Sequence, residues 1–438
     1  MLNNELLLRK IENKTAIVGI IGLGYVGLPL AVDTARKGYA VVGFDIQSKK
    51  VEMINSGQNY INDVDDSEFK NVVASGNLKA TSDYKFVEGA DIVIICVPTP
   101  LDKYQQPDIS YVKSSAEELG KYLHKDMLII LESTTYPGTT EELLLPILED
   151  ISGLKSEKDI FIAFSPERVD PGNAIYKTKN TPKVVGGVGI SSTKLAAAYY
   201  RYVLESNIYE VSSPKVAEME KLLENTYRNI NIGLINEMAI ICNKMKIDIW
   251  EVIEAAKTKP YGFEAFYPGP GLGGHCIPLD PYYLTWKARE YGYHTKLIEL
   301  SGEINNYMPQ YIVERASKIL NSFNKPFNGS KILVLGVAYK SDVADYRESP
   351  ALKVIEILMN EGAEVSFYDP YISSYNFKER EYIGTTLTIE LLSTTDLVII
   401  TTDHRNYNYD FIQKHSKFIF DTRNATKNVM SKNNIELL

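Results

Sequence analysis

Short apolar runs recur along the first part of the chain, and each is followed by a stretch whose apolar positions have helical spacing. The runs are TAIVGII, YAVVGFD, ADIVIICVP, MLIILEST and DIFIAFSP. Nearly uncharged runs of this length are typical of strands that are buried on both faces. Strands that alternate with helices indicate a parallel sheet covered by helices. The first region is therefore predicted to be a doubly wound α/β domain.

The pattern changes between Pro214 and Ile247, where a long helical run contains no further proline and only Gly233 as a weak point. After Lys331 the strand pattern returns in KILVLGVAY, AEVSFYD, DLVIITT and FIFDT. These runs correspond in order to runs of the first region, so the chain contains a degenerate internal repeat. We therefore predict two Rossmann-like doubly wound domains joined by a long central helix, with KPFNGSK as a linker before the second domain.

Composition narrows the class of protein. The 438 residues carry a net charge of −9, which argues against a nucleic-acid surface because such a surface needs a basic face. Three cysteines lie far apart without a C-x-x-C pair, which suits the reducing cytoplasm, and five scattered histidines give no metal signature. The uncharged run from Ala16 to Val32 approaches the length of a membrane span. Glycines and a proline interrupt it, so we expect no membrane segment there.

The strongest local motif is Gly22-Leu-Gly24-Tyr25-Val26-Gly27, at the end of a predicted strand and the start of a predicted helix. Such glycines allow a tight turn, close approach of a pyrophosphate to the backbone, and close packing of helix on strand. Asp45 follows the next strand, where a carboxylate binds a ribose 2′-hydroxyl and repels a 2′-phosphate. The motif predicts a dinucleotide site that prefers NAD to NADP.

The corresponding turn of the second α/β domain, Gly336-Val-Ala-Tyr-Lys340, has one glycine where the first has three. A dinucleotide should therefore not approach it equally closely. Lys340 or Arg347 could bind the phosphate of another nucleotide. On the residues alone, both are equally well explained as surface charges.

A glycine-dense loop runs from Tyr267 through Cys276 to Asp280 and Pro281. Cys276 comes just before a predicted helix, PYYLTWKAREY, and an adjacent helix N-terminus stabilises a nucleophilic thiolate. The alternative is that Cys276 is a small buried side chain and Asp280 a helix N-cap. Cys96 and Cys242 are expected in the core. On the central helix, Lys221 and Asn225 are four residues apart and share a face.

These motifs, in this order, resemble the UDP-glucose/UDP-N-acetylhexosamine 6-dehydrogenase family over nearly the whole chain. The matching stretches are GIIGLGYVGLPLA, VPTP, ESTTYPGTT, FSPERVDPG, AEMEKLLENTYRNINIGLINE, GPGLGGHCIPLDPYYL and VLGVAYKSDVADYRESPAL. The resemblance implies an NAD-binding domain over residues 1–212 and a central helical, dimerising and substrate-loop region over 213–312. It implies a UDP-binding α/β domain over 313–438. We accordingly expect a homodimer or a higher homo-oligomer.

The resemblance also implies roles for individual residues. Cys276 matches the nucleophile, Lys221 and Asn225 the pair that stabilises charge on the reacting oxygen, and Asp280 a helper of the thiol. Thr134 and Glu167 match residues that position the hydrolytic water, with Glu167 as a candidate acid or base. The expected cofactor contacts are Gly22, Gly24, Tyr25, Val26, Gly27, Asp45, Lys50, Thr99, Thr134 and Arg347. The expected substrate contacts are Glu167, Arg168, Val169, Lys221, Asn225, Tyr267, Gly271, Gly273 and Lys340.

The segments around Glu167 and Cys276 look most like bacterial UDP-N-acetylglucosamine 6-dehydrogenases of surface polysaccharide (capsule or O-antigen) synthesis. Leu279 stands where UDP-glucose enzymes commonly have a lysine. The sequence leaves UDP-N-acetylmannosamine and UDP-glucose open as substrates. The implied reaction oxidises the C6 alcohol to a carboxylate through a cysteine thiohemiacetal and thioester. The alternatives are a single-step hydroxyacid-type dehydrogenase with a structural Cys276, and a non-catalytic nucleotide-binding regulator.

Overall fold

The computed structural model describes residues 3–61, 63–102, 104–170, 172–173, 175–274 and 276–438. The chain divides into two compact units. The first comprises Met1–Glu224 and Tyr282–Gly292, and the second comprises Asn225–Pro281 and Tyr293–Leu438.

The first unit is built on an eight-stranded sheet. Its strands are β1 (Ile17–Ile21), β2 (Ala40–Phe44), β3 (Leu78–Thr81), β4 (Ile92–Ile95), β5 (Leu128–Leu131), β6 (Phe161–Phe164), β7 (Lys183–Gly187) and β8 (Ile208–Val211). Its helices are α1 (Asn3–Glu12), α2 (Gly27–Arg36), α3 (Ser48–Asn55), α4 (Asp66–Ala74), α5 (Ser110–Gly120), α6 (Leu145–Ser152) and α7 (Ile190–Val203). A π-helical turn, Thr140–Leu144, leads directly into α6, and short 3₁₀ helices span Tyr84–Gly89 and Thr178–Asn180.

The strand order in this sheet is β3-β2-β1-β4-β5-β6-β7-β8, and all neighbours are parallel except β6 and β7. The chain goes outward from β1 through β2 to β3 and then returns to the other side of β1 with β4. In open α/β sheets ligands bind beyond the carboxyl ends of the strands at such a reversal. Every side chain of β4, β5 and β6 is buried, as their apolar runs predict.

The predicted central helix is α8 (Pro214–Met245), which passes from the first unit into the second. Gly233, its weak point in the sequence, has a packing role. A Cβ atom there would lie 3.0 Å from the Cβ of Ser301, on a helix packed against it in the second unit. The helices that follow are α9 (Ile249–Lys257), α10 (Asp280–Glu290) and α11 (Lys296–Ser322).

The second unit holds a five-stranded parallel sheet in the order β10-β9-β13-β14-β15. Its strands are β9 (Lys331–Leu335), β10 (Glu364–Tyr368), β13 (Leu397–Ile400), β14 (Ile419–Asp421) and β15 (Ile435–Leu437), and an antiparallel hairpin joins β11 (Ser374–Phe377) to β12 (Arg380–Ile383). The remaining helices are α12 (Pro350–Asn360), α13 (Ile389–Thr394) and α14 (Tyr409–His415).

The predicted fold class, two doubly wound α/β domains with a long central helix, is confirmed. Of the proposed borders, residue 212 lies between β8 and α8, whereas residue 312 lies inside α11. The three-part division therefore stays a prediction. Among the described residues, no helix is both long enough and apolar enough to span a membrane.

Candidate active site

The three glycines of the fingerprint turn have three different surroundings. Gly22 has a φ of +91°, and a Cβ atom there would lie 2.6 Å from the carbonyl oxygen of Cys96. A Cβ on Gly27 would overlap the carbonyl oxygen of Gly22, so this glycine brings α2 onto the turn. Around Gly24 the space is open, with no heavy atom within 4 Å of such a Cβ. The turn therefore combines two steric requirements with one exposed stretch of backbone, which fits a bound pyrophosphate.

Asp45 lies directly after β2 and turns back to this motif. Its Oδ2 accepts a hydrogen bond from the Leu23 amide at 3.1 Å, and its Oδ1 accepts one from the Gln47 amide at 2.9 Å. Lys50 Nζ lies 3.3 Å from the same Oδ2. The structure thus brings together the predicted cofactor residues Asp45 and Lys50. Their ion pair was not foreseen, and it makes this position less negative than an isolated carboxylate.

The loops after β4 and β5 are tied to each other. Thr99 Oγ1 donates to the carbonyl oxygen of Thr134 at 2.6 Å, and Ser133 Oγ donates to that of Val97 at 2.8 Å. The Tyr283 hydroxyl donates to the carbonyl oxygen of Thr99. The predicted cofactor residue Thr99 and the predicted water-positioning residue Thr134 are therefore neighbours at the carboxyl edge of the sheet.

Glu167 follows β6 and is held by the backbone of its own segment. Its Oε1 accepts from the amides of Arg168 at 2.7 Å and Val169 at 2.8 Å, while its Oε2 lies 3.4 Å from Lys183 Nζ. Burial alone would raise the pKa of Glu167, but Lys183, the two amides and the charge of Lys221 together lower it. A carboxyl group that stays ionised suits a base or a water acceptor better than an acid.

The guanidinium of Arg168 is engaged within the first unit. Nε lies 3.1 Å from Glu224 Oε1 and 3.3 Å from Glu220 Oε1, and Nη1 donates to the carbonyl oxygen of Pro182 at 3.0 Å. Burial and the neighbouring Glu224 raise the pKa of Glu220 to about 7. The predicted substrate residues Arg168 and Val169 therefore hold Glu167 through their amides, and their contacts with substrate stay a prediction.

Lys221 and Asn225 are both buried on α8, at 7% and 5% exposure, although a helical lysine taken alone is usually a solvated surface group. In the second unit, Asn225 Nδ2 donates to Asp280 Oδ2 at 2.5 Å. Asp280 is the first residue of α10 and is only 3% exposed. Two residues predicted to act in catalysis therefore meet directly.

Cys276 is exposed, whereas Cys96 and Cys242 are buried, as expected. Its carbonyl oxygen accepts hydrogen bonds from the amides of Leu279 at 3.1 Å and Asp280 at 2.9 Å, which forms the turn into α10. The thiol thus stands on a tight turn just before a helix. This placement differs from that of a cysteine used to fill a core.

The glycine-dense loop packs within the second unit against the segment after β9. A Cβ on Gly273 would lie 2.7 Å from the Cβ of Tyr339, and the Gly274 amide donates to the carbonyl oxygen of Arg347 at 3.3 Å. Gly271 has a φ of +132°. The structure therefore joins the predicted substrate loop to the segment that carries Lys340 and Arg347.

At the start of this loop, the Tyr267 hydroxyl donates to Glu254 Oε1 at 2.8 Å. Its ring stacks on Trp250 with centroids 6.2 Å apart.

Two buried residues of the first unit were missed by the sequence reasoning. Glu132 follows β5 and Lys183 opens β7, and Lys183 Nζ lies 3.0 Å from Glu132 Oε1. The available signal was a charged residue at the end of a run that is otherwise fully apolar.

Comparison with known proteins identifies the family. Three models of the UDP-glucose/GDP-mannose dehydrogenase family match in order: its NAD binding domain over residues 16–204, its central domain over 215–307 and its UDP binding domain over 333–428. The chain belongs to this family. It is an NAD-dependent oxidoreductase of nucleotide sugars, and both the predicted enzyme class and the predicted cofactor are confirmed.

Relatives of two specificities lie at similar distance. The chain is 38% identical over 357 residues to a UDP-N-acetyl-D-glucosamine 6-dehydrogenase of Pseudomonas aeruginosa, which covers 82% of this chain and 83% of the relative. It is 37% identical over 418 residues to a UDP-N-acetyl-D-mannosamine dehydrogenase of Pyrococcus horikoshii, covering 94% and 96%. The solved structure of a UDP-D-ManNAc dehydrogenase from Pyrococcus horikoshii has a TM-score of 0.87 at 35% identity, covering 96% and 98% of the two chains.

Proposed function

We propose that the protein oxidises the C6 alcohol of UDP-N-acetylglucosamine to the carboxylate, through a thiohemiacetal and a thioester on Cys276, to supply a surface polysaccharide precursor. The observation that carries this proposal is the arrangement around α10. An exposed thiol stands on the turn into that helix, and the buried carboxylate of Asp280 at its first residue is bonded to Asn225. A single-step dehydrogenase has no use for such a thiol.

The cofactor would be held in the first unit by the fingerprint turn, Asp45, Lys50 and Thr99. The open backbone at Gly24 and the oriented carboxylate of Asp45 both fit a dinucleotide. When bound, NAD supplies the hydride acceptor for each of the two oxidations.

The residues of the chain would then act in sequence on the sugar. The Cys276 thiolate adds to the C6 aldehyde, so that a sulfur–carbon bond forms and the carbonyl oxygen becomes an alkoxide. Lys221 and Asn225 stabilise the negative charge on this oxygen. Oxidation of the adduct gives a thioester, and Glu167 accepts a proton from the water that attacks it. The carbon–sulfur bond then breaks with the Cys276 thiolate as leaving group, and the carboxylic acid that is released gives its proton to solvent.

The nucleophile can be tested against the single-step alternative. Complete turnover should yield two NADH for each UDP-sugar consumed, because two oxidations occur at one carbon. Cys276→Ala should nearly abolish formation of the acid, and Cys276→Ser should remain very slow because a hydroxyl is a far weaker nucleophile. Cys242→Ala is the matched control, since that thiol is buried and should be dispensable. A ratio of one NADH with a neutral product would refute the proposal.

The sugar is proposed from the substrate loop. Leu279 is uncharged where UDP-glucose enzymes commonly have a lysine. The two relatives described above are named as dehydrogenases of UDP-N-acetylhexosamines. UDP-N-acetylmannosamine is the second candidate and UDP-glucose the third. The test is to compare kcat/KM for these three substrates while NADH is followed and the product is identified by mass. A higher value for UDP-glucose would contradict the proposal, and a higher value for UDP-N-acetylmannosamine would change only the epimer.

We also propose that α8 forms a homodimer interface. One face of this helix carries exposed apolar side chains at spacings of three, four and seven residues: Val216, Met219, Leu223, Tyr227, Leu234 and Ile241. A stripe with this spacing suits packing against a second helix. Leu234→Lys should weaken self-association measured by light scattering, whereas Arg228→Glu, at an exposed position of the same helix away from the stripe, should leave it unchanged. Equal masses for both variants and the wild type at monomer size would contradict the proposal.

A further inference from the structure

A chain of charged groups lies buried beneath Glu167 in the first unit. Lys183, the first residue of β7, is 4% exposed. Its Nζ lies 3.0 Å from Glu132 Oε1 and 3.4 Å from Glu167 Oε2. Glu132 is 1% exposed and directly follows β5. One buried ammonium therefore stands between two carboxylates, and only one of the three groups belongs to the proposed reaction.

Glu132 is itself fixed by neutral donors. The hydroxyl of Tyr200 on α7 donates to Glu132 Oε1, and the Cys96 thiol lies 3.9 Å from Glu132 Oε2. Lys183 Nζ also lies 5.2 Å from the centroid of the Tyr200 ring. This end of the cluster is held by three elements, so Lys183 has little freedom to move.

Such a cluster is a poor means of stabilising a fold. Removing charges from water costs several kcal/mol per ion, and well-packed apolar residues of the same volume are often equally stable or better. Apart from Lys183 itself, β5 and β7 contain only apolar residues and glycine, so apolar side chains could have filled this core. The contact with Glu167 indicates that the cluster has a role in the site.

We propose that Lys183 is a positioning residue for Glu167, and that Glu132, Tyr200 and Cys96 together fix Lys183. The inference rests on the proposed function, in which Glu167 accepts a proton from the hydrolytic water. The Arg168 and Val169 amides hold one oxygen of this carboxylate, and Lys183 faces the other. The carboxylate is thereby kept charged and in one orientation when the thioester is attacked.

The charges around Glu167 come from several elements. Lys183 faces it from β7, Glu132 from the end of β5 and Lys221 from α8, while the guanidinium of its neighbour Arg168 is paired with Glu220 and Glu224. Burial would lower the pKa of Lys183, but the two carboxylates raise it, so the ammonium stays charged. Burial raises the pKa of Glu132. Lys183 is therefore a principal cause of the lowered pKa of Glu167.

The experiment compares Lys183→Met, Lys183→Arg and the double variant Lys183→Met/Glu132→Met. The single methionine leaves the Glu132 carboxyl buried without its cation, which strongly destabilises the fold, whereas the double variant replaces the whole pair by apolar side chains. Thermal unfolding identifies the variants that fold. The measurements are kcat against pH and the mass of Cys276 after reaction with excess substrate.

For the double variant we expect slow hydrolysis near neutral pH. The acid limb of the kcat profile should move up by about one to three pH units, as expected when an opposite charge within about 4–6 Å is removed. The thioester should accumulate on Cys276, with a burst of about two NADH per site before slow turnover. Lys183→Arg keeps the cation and should restore the limb towards its wild-type position.

A wild-type pH profile without thioester in the folded double variant would overturn the inference. So would a uniform loss at all pH values without thioester, because that is the signature of a purely structural role. Glu167→Gln separates this failure from that of the proposed function. If Glu167→Gln hydrolyses the thioester at the wild-type rate, the role of Glu167 and the inference fall together. If it is slow while the double variant is normal, only the role of Lys183 is wrong.

Discussion

Glu218 on α8 holds the loop that follows Thr134, and its replacement gives a sharp test of how the site is supported. Its side chain is fully buried. Oε2 accepts from the Gly138 amide at 2.5 Å, and Oε1 accepts from the amide of Thr140 at 2.9 Å and its hydroxyl at 2.7 Å. One carboxylate therefore satisfies both backbone donors of the turn that leads into the π-helical segment.

Glu218→Gln changes one oxygen of this carboxylate into an amino group. Because each oxygen accepts a backbone N–H, whichever way the amide is turned a donor must face a donor. A buried donor left without an acceptor costs about 1–3 kcal/mol. For a unit of this size a loss of about 2 kcal/mol lowers Tm by roughly 4–8 °C. Since the loop carries Thr134, kcat should fall together with stability.

The assay is thermal unfolding followed by circular dichroism, with turnover measured below the transition. Glu141→Gln is the matched control, because this carboxyl is partly exposed and forms a long ion pair with Lys215, at 3.5 Å. A partly exposed pair is worth less than about 1 kcal/mol. If both variants unfold at the same temperature, the hydrogen bonds of Glu218 do not support the loop, and the reasoning is refuted.

Three further predictions concern the first unit. Gly24→Ala should leave Tm unchanged but raise KM for NAD about tenfold, which is a loss of about 1.4 kcal/mol of binding free energy. Gly22→Ala should instead lower Tm because the φ of Gly22 is positive. Equal Tm and equal KM for the two variants would contradict this. Asp45→Ala should weaken NAD binding and relax the preference over NADP in paired kinetic assays, and Asp45→Asn should keep the turn intact; an unchanged preference would show that Asp45 does not bind ribose. Burial and the neighbouring Glu224 raise the pKa of Glu220 from 4.5 to about 7, so its contribution to stability is present below 4.5 and is lost as pH rises through 7. Glu220→Gln should therefore gain Tm relative to the wild type at pH 8 more than at pH 5, and a constant difference would exclude this titration.

Most of the strands that the sequence predicted are largely buried, and β10, with one buried side chain of five, is the exception. All nine apolar runs named as strands form strands, and the long helical run forms α8. Within the described residues, six short strands were missed: β3, β7, β8, β11, β12 and β15. In β8 every side chain is at least partly exposed, so no apolar run marks it.

β7 ends in two glycines that look like a turn in the sequence. Added Cβ atoms on Gly186 and Gly187 would overlap the backbone of Ser213 and Thr193, so close packing requires glycine there. The two glycines of β7 are therefore required by packing against later segments of the chain, and the sequence of the strand alone does not show this requirement.

The parts of the site that depend on neighbouring residues in the sequence could also be predicted, and those that depend on distant residues could not. The fingerprint turn and the Cys276 loop are local in sequence, and their geometry follows from a few consecutive residues. The ion pair of Glu132 and Lys183 joins the residue after β5 to the first residue of β7, and the two are far apart in the chain. Each residue alone looks like a solvated strand end, because the partner that makes its burial tolerable is supplied by the fold.

The two halves of the internal repeat share a turn but use it differently. Gly22 and Gly336 have φ values of +91° and +90°, and both follow the first strand of their sheet. Asp45 follows the second strand in one half, and Asp369 follows it in the other. Both carboxylates turn back to the glycine loop, so this contact alone does not decide whether a dinucleotide binds.

The two halves differ in how many hydrogen bonds the aspartate already makes within the protein. Asp369 Oδ2 accepts from the amides of Val337 at 2.8 Å and Ala338 at 3.0 Å and lies 3.1 Å from His404 Nε2, all buried. Burial would raise the pKa of Asp369, but its hydrogen-bond partners and His404 lower it. The carboxylate therefore stays charged, and its hydrogen bonds hold the loop. A carboxylate committed in this way has little capacity left for a ribose hydroxyl. A nucleotide in the second unit must then be bound by other groups, and the segment that begins at Lys340 lies directly after this loop.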